Sequence, residues 1–203
     1  MNTESPNYNF LSNLTNCYKY VIKFNSNHFA SSYHTIIAAG NKKAPIPKDE
    51  NNEWLFGHIS YDFKNKIENL TSELPDYSEF PETTFFQPEI IVLEKGGNIE
   101  VISKLTEEDI QTFYSDKTKS NISSNFNKKT EVKNRISKQK YLDKLNTLLH
   151  HIQRGDIYEI NFCKEFYIEN IVINPIEVYS KFNELSPSPF SCFYKCDNHY
   201  LIS

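Results

Sequence analysis

Gly155-Asp156-Ile157-Tyr158-Glu159-Ile160-Asn161-Phe162, running on to Ser186-Pro187-Ser188-Pro189-Phe190, is the stretch whose reading decides the fold. Just before it, Tyr141, Leu142, Leu145, Leu148, Leu149 and Ile152 recur at the spacing of one helix face. Ser137 is placed to cap the start of that helix, and Gly155 its end. Residues 157–166 then alternate, with Tyr158, Ile160, Phe162 and Phe166 on one side, and predict a strand. Asn174-Pro175-Ile176-Glu177 carries an N-cap, a proline at the first helical position and a glutamate three residues after the cap. Ile176, Tyr179, Phe182 and Leu185 form the buried stripe predicted for this second helix, which Pro187 terminates. Residues 190–195 and 199–202, joined by Asp197-Asn198, predict a strand pair cut short at Ser203.

Upstream the chain is mainly β. Residues 18–24 and 33–39 read as strands, the second ending at Gly40. The two prolines and the charges within 41–52 predict a loop. Residues 54–61 make an aromatic strand, with Gly57 where backbone or a ring comes close. Phe63, Ile67 and Leu70 predict a short amphipathic helix over 62–70. Residues 85–93 and 99–102 flank Gly96-Gly97-Asn98, the signature of a hairpin. Residues 116–136, rich in Ser, Lys, Asn and Thr, predict a linker between segments 1–115 and 137–203.

Composition excludes several classes. Fifteen Phe and thirteen Tyr in 203 residues do not describe a disordered chain. Five glycines, with no phosphate-loop pattern, argue against a Gly-rich nucleotide cradle. A net charge of −4 with scattered lysines leaves no nucleic-acid footprint. No run of 18 apolar residues and no basic, apolar leader is present, so a cytoplasmic protein without membrane contact is expected. Cys17, Cys163, Cys192 and Cys196 have no zinc-site spacing and read as free thiols. Asp156, Glu159, Glu165, Glu169, Glu177 and the pair His150-His151 read as capping or solvated groups, so no catalytic set and no metal site is assigned.

Taken in order, these motifs resemble the chorismate-utilising family, the ammonia-using large component of para-aminobenzoate and anthranilate synthases. Gly155 to Asn161 is similar to its G-D-[IC]-[YF]-Q-x-N stretch, and Ser186 to Phe190 to its N-P-S-P-Y turn. Trp54-Leu55-Phe56-Gly57-His58-Ile59-Ser60-Tyr61-Asp62-Phe63-Lys64-Asn65 resembles the family's W-L-F-G-Y-x-S-Y-D-x-K-N, and Phe85-Phe86-Gln87-Pro88 its F-F-x-P. Asn161 turns the resemblance towards the para-aminobenzoate (aminodeoxychorismate) branch. Anthranilate synthesis, or a non-catalytic amino-acid-binding module, stay open as alternatives.

The resemblance implies an α+β fold of antiparallel sheets with helices packed outside. It places residues 1–115 in an N-terminal region and 137–203 at the start of a chorismate-binding domain, truncated where the family's S-P-E would begin. It implies chorismate as substrate, Mg²⁺ as cofactor with ligands downstream, and ammonia from solution or from a glutamine amidotransferase partner. It also implies an effector-like pocket at Asn25, Ser26, Tyr33, Pro187, Ser188, Pro189 and Phe190. Asn25 and Ser32 stand where the family has a carboxylate and an Arg, so tryptophan is expected to bind weakly or not at all. Phe190 is expected to fill part of the pocket with its ring.

Overall fold

The computed structural model describes residues 6–27, 32–47, 53–71, 75–115 and 130–203. Contacts divide the chain into two units, residues 1–121 with 175–203, and residues 122–174.

In the larger unit the strands are β1 (Tyr20–Asn25), β2 (Thr35–Gly40), β3 (Lys42–Ala44), β4 (Phe56–Ile59), β5 (Thr83–Gln87), β6 (Ile90–Lys95) and β7 (Asn98–Ser103). Two more, called β10 (Ser191–Cys196) and β11 (His199–Ile202) because β8 and β9 lie between them in the chain, close the series. Six form an antiparallel sheet in the order β11-β10-β1-β2-β6-β7, and β3-β5-β4 form a second. The chain changes sheets twice, at Asn41 between β2 and β3 and at Pro88 between β5 and β6. Residues 85–93, expected as one strand, are therefore two, because Pro88 has no N–H to continue a ladder. The expected loop at 41–52 gives Lys42–Ala44 to the second sheet. Gly96 and Gly97, at φ 55° and 79°, make the predicted hairpin turn.

Alternation along each strand splits the core in two. Val21, Ile37, Ala39, Ile90, Val92 and Phe193 face one side, where they meet Phe10, Leu11 and Leu14 of α1 (Tyr8–Cys17). Ile110 of a one-and-a-half-turn helix, α3 (Glu107–Thr112), and Ile176 and Tyr179 of a helix called α5 (Pro175–Leu185) complete this layer. Tyr20, Ile22, Ala38, Ile91, Leu93 and Tyr194 face the other way, against Phe56 and Phe86 of the small sheet. Burying one such ring is worth about 2–3 kcal/mol, so the two layers are the main stabilising contribution. α1 is further fixed by long-range polar contacts. Asn13 Nδ2 donates to the Phe113 and Ser115 carbonyls at 2.9 and 3.0 Å, and Lys195 Nζ donates to the Thr15 and Tyr18 carbonyls at 2.5 and 2.6 Å.

Several expectations need correction. Residues 62–70 make a 3-10 turn (Tyr61–Phe63) and the single helical turn α2 (Lys64–Ile67), with Ile67 and Leu70 exposed. In α5 only Ile176 and Tyr179 are buried, and Phe182 and Leu185 face solvent. Residues 175–203, grouped by sequence with the segment after the linker, join the first sheet because β10 pairs along the whole of β1. Most of the linker, residues 116–129, lies outside the described residues.

The smaller unit holds α4 (Lys138–Arg154) and the short antiparallel pair β8 (Lys133–Asn134) and β9 (Phe166–Tyr167). Both predicted caps are present: Ser137 accepts from the Lys140 N–H, and Gly155 takes the left-handed conformation at φ 79°. The strand expected over 157–166 is reduced to Phe166–Tyr167. A strand persists only where its N–H and C=O groups find a partner, and here β8 offers two residues. Tyr141 stacks on Phe162 at 4.9 Å, and the Arg135 guanidinium lies 3.7 Å from the Tyr167 ring centre. Among the described residues, no helix in either unit is long and apolar enough to cross a membrane.

Candidate functional site

Several residues of the larger unit that the family resemblance singles out gather where β1 ends. Asn25 lies opposite Thr35 on one neighbouring strand and Ser191 on the other. Its side-chain oxygen accepts from the Asn27 N–H at 2.8 Å, and Asn27 takes a left-handed φ of 49°. An Asx turn of this kind suits Asn, whose short amide replaces a backbone acceptor. The turn aims Asn27 across at α5. Asn27 and Asn183 exchange amide hydrogen bonds of 2.8 and 2.9 Å, and Asn27 Nδ2 also donates to the Ser188 carbonyl at 2.7 Å. Ser188 in turn orders the proline turn, accepting from Phe190 N–H at its hydroxyl and from Ser191 N–H at its carbonyl.

The structure thus brings Asn25, Ser26 and Ser188 together through two asparagines that sequence reasoning did not name. Ser26 is buried, and its N–H donates to the His34 carbonyl at 2.9 Å. Its hydroxyl is buried and has no hydrogen-bond partner among the described residues. Tyr33 lies 5.8 Å beneath the Lys95 ammonium. Pro187 and Pro189 are exposed, as is Ser32. Phe190 is 83% exposed, so its ring does not fill the pocket as expected. It follows the turn outward, where the backbone from Ser188 to Ser191 is already fixed by hydrogen bonds.

Lys23 is the residue that sequence reasoning missed. It shares the helix-covered face of β1 with Val21 and Asn25, and its Nζ lies 5.9 Å from the Tyr179 ring centre. Burial lowers its pKa, an effect opposed by the charge of Glu94. Tyr179 accepts a 3.3 Å hydrogen bond from the Ser191 hydroxyl, and burial raises its pKa. A lysine at an inward position of an apolar strand was the available signal.

Asn27, Asn183 and Ser188 satisfy one another, so an incoming zwitterion would have to break three short hydrogen bonds. An ammonium or carboxylate buried without compensation is costly. Titration of the chain with tryptophan is accordingly expected to give no micromolar binding heat. Micromolar affinity would show that the amide pair opens, and that Lys23 and Ser26 suffice.

The other charged residues singled out by sequence lie in the smaller unit, except Glu177 on α5, and several of them meet oppositely charged partners there. Asp156 accepts from His151 at 2.7 Å and from Arg154 at 2.9 Å. At the surface Lys133 meets Glu169 at 2.6 Å, and the partly buried Arg135 meets Glu165 at 3.1 Å. Exposed pairs of this type contribute about 0–1 kcal/mol each. Glu159 and His150 are exposed. Among the described residues no three His, Cys, Asp or Glu side chains gather as a metal site.

Comparison with known proteins supplies the family. The family of chorismate binding enzymes matches residues 2–203, and the chain belongs to that family. Its members act on chorismate. Within the family, the chain is similar to anthranilate synthase component 1 of Saccharolobus solfataricus, at 24% identity over 154 residues. That match covers 73% of this chain and 33% of the relative, so the chain spans about a third of the length of the curated relative it matches.

Proposed function

We propose that this chain is the N-terminal part of component I of an aminodeoxychorismate synthase, which aminates chorismate to 4-amino-4-deoxychorismate for para-aminobenzoate and folate synthesis. The observation that supports the choice of branch is the run from Trp54 to Asn65, with Asn161 later in the chain. In this reading the chain is a cytoplasmic scaffold whose sheets carry the rest of the enzyme. Its role is to position, and the ring chemistry belongs to the downstream part. Ammonia, free or delivered by a glutamine amidotransferase subunit, displaces the hydroxyl.

Mg²⁺ is suited to hold a carboxylate of the substrate through oxygen ligands. The described residues do not fit such an ion, because no three potential ligands converge among them. In this reading the ligands are supplied from outside the described residues, and no step is assigned to the ion here.

The second reading is component I of an anthranilate synthase, favoured by the name of the curated relative. One experiment separates the two. Chorismate, ammonia and Mg²⁺ are incubated with the 203-residue chain, and separately with a chain extended to the length of the relative. The expected result is no product from the first and 4-amino-4-deoxychorismate, identified by mass and chromatography, from the second. Fluorescent anthranilate from the extended chain would favour the second reading. Product from the 203 residues alone would overturn the placement of the chemistry downstream.

A further inference from the structure

The corner at which the chain changes sheets borders an open cavity of about 610 Å³ that the proposed function does not use. Its walls come from four separate stretches of the larger unit, Lys42, Glu53-Trp54, the Gln87–Ile91 corner and residues 102–105. The volume falls in the range of small-molecule sites, roughly 300–1,000 Å³.

The floor is apolar, formed by buried Ile91 with Ile102 and Leu105 beside it. One wall is Trp54. Its indole stacks on Phe56 with centroids 5.9 Å apart and an angle of 9° between the planes, so one face is braced. The residue remains 45% exposed and lines the cavity. A braced, half-exposed indole offers a flat apolar surface at low conformational cost, and rings stack on it in offset or edge-on arrangements.

The polar rim sets the charge of the guest. The Glu53 carboxylate accepts from Gln87 Nε2 at 2.8 Å, and the Glu89 carboxylate accepts from the Asn41 N–H at 3.1 Å. Lys42 Nζ donates to Gln87 Oε1 at 2.8 Å, one neutral acceptor for an ammonium with three donors. Lys104 also lines the cavity and forms no ion pair among the described residues. Each carboxylate already accepts one hydrogen bond within the fold, whereas neither ammonium group has an anionic partner among the described residues. A carboxylate would gain charge-assisted hydrogen bonds there. A second negative charge on the guest would meet Glu53 and Glu89.

We propose that this cavity is a binding site for a small planar monoanion, an aromatic carboxylate that lies on the Trp54 indole and is held by Lys42 and Lys104. The site is independent of the pocket at Asn25 and of the assignment to either synthase.

Trp54 is the single tryptophan in the sequence, so its indole N–H gives one resonance that reports on this cavity. The test is a titration of the ¹⁵N-labelled chain with benzoate, followed at that resonance. Parallel titrations use cyclohexanecarboxylate, benzylamine and inorganic phosphate. Benzoate is expected to shift the signal saturably with millimolar or better affinity, and at least about tenfold more tightly than any of the three controls, a difference of about 1.4 kcal/mol. Lys104→Ala is expected to weaken benzoate about tenfold with an unchanged melting temperature, because Lys104 supports no described contact of the fold. Lys95→Ala, which removes a lysine packed on Tyr33 instead, should leave the affinity unchanged. Absence of a saturable shift overturns the proposal. So does equal binding of cyclohexanecarboxylate, which would deny a role to planarity, of benzylamine, which would deny one to negative charge, or of phosphate, which would deny one to the single charge and the ring.

Discussion

Replacing Gly57 by alanine is expected to cost about 3 kcal/mol or more, enough to threaten a fold whose whole stability is about 5–15 kcal/mol. The cause is contact between strands, not backbone dihedrals. Gly57 sits opposite Phe85 in the β4–β5 ladder. A Cβ placed on it would fall against the Thr84 carbonyl oxygen, with the Phe85 Cα only 2.7 Å away. These are backbone atoms and cannot swing aside as a side chain would. Making room means separating β4 from β5, and with them Phe56 and Phe86, which close the second core layer. Gly96→Ala is the useful contrast. No atom lies within 4 Å of its added methyl, but φ is 55°, so only the left-handed penalty of about 1 kcal/mol applies. Urea unfolding of both variants should show the first losing at least twice as much stability as the second. Equal losses would mean that the small sheet is looser than its packing indicates.

What sequence could show depended on how local the cause was. α4 was readable with both caps, because Ser137, its apolar spacing and Gly155 act within one stretch of chain. Gly57 was readable for the same reason, as a glycine in an otherwise bulky aromatic strand. α1 was missed although Asn7 accepts from the Phe10 N–H and Phe10, Leu11 and Leu14 share a face. α3 was missed although Thr106 and Asp109 form a full capping box. Both signals were present and local, and went unread beside the stronger strand patterns. The strand over 157–166 failed for the opposite reason. Alternation describes which way side chains point, but pairing depends on a partner elsewhere in the chain. Sheet-switching at Asn41 and Pro88 is equally non-local, and the cavity at Trp54 exists only because four distant stretches meet there. At the β1 pocket, resemblance named Asn25, Ser26 and Ser188. It gave no reason to name Asn27 and Asn183, which join them, or Lys23, whose partners lie on α5 and β6.

Raising the pH above 10 is expected to unfold the chain in one cooperative step completed by about pH 12. The groups responsible are buried phenols and a buried thiol. Burial pushes Tyr18 up to about 12, with the charges of Glu89 and Asp109 adding to the effect. Burial also raises Tyr20, Tyr179, Tyr194 and Tyr200, and holds the Cys192 thiol at about 12. The folded chain therefore keeps protons that the unfolded chain sheds once pH passes about 9 for thiols and 10 for phenols, so stability falls as pH rises. Lys23 and Lys195 work in the other direction. Burial lowers their pKa values, so the folded state gives up those protons first and gains stability between the lowered values and about 10.5. Two lysines oppose six acids, and the lysine gain stops just as the phenol loss begins. Cys192 alone removes on the order of 4 kcal/mol by pH 12, a large share of the roughly 5–15 kcal/mol of an ordinary domain, before any tyrosine is counted. Tyrosinate absorbance at 295 nm and far-ultraviolet circular dichroism should be followed together. The absorbance contributed by the buried tyrosines Tyr18, Tyr20, Tyr179, Tyr194 and Tyr200 should rise in step with loss of the dichroism. Full ionisation of the tyrosines while the native dichroism persists would show that water reaches Tyr18 and Tyr194, and that the two core layers are not packed as described.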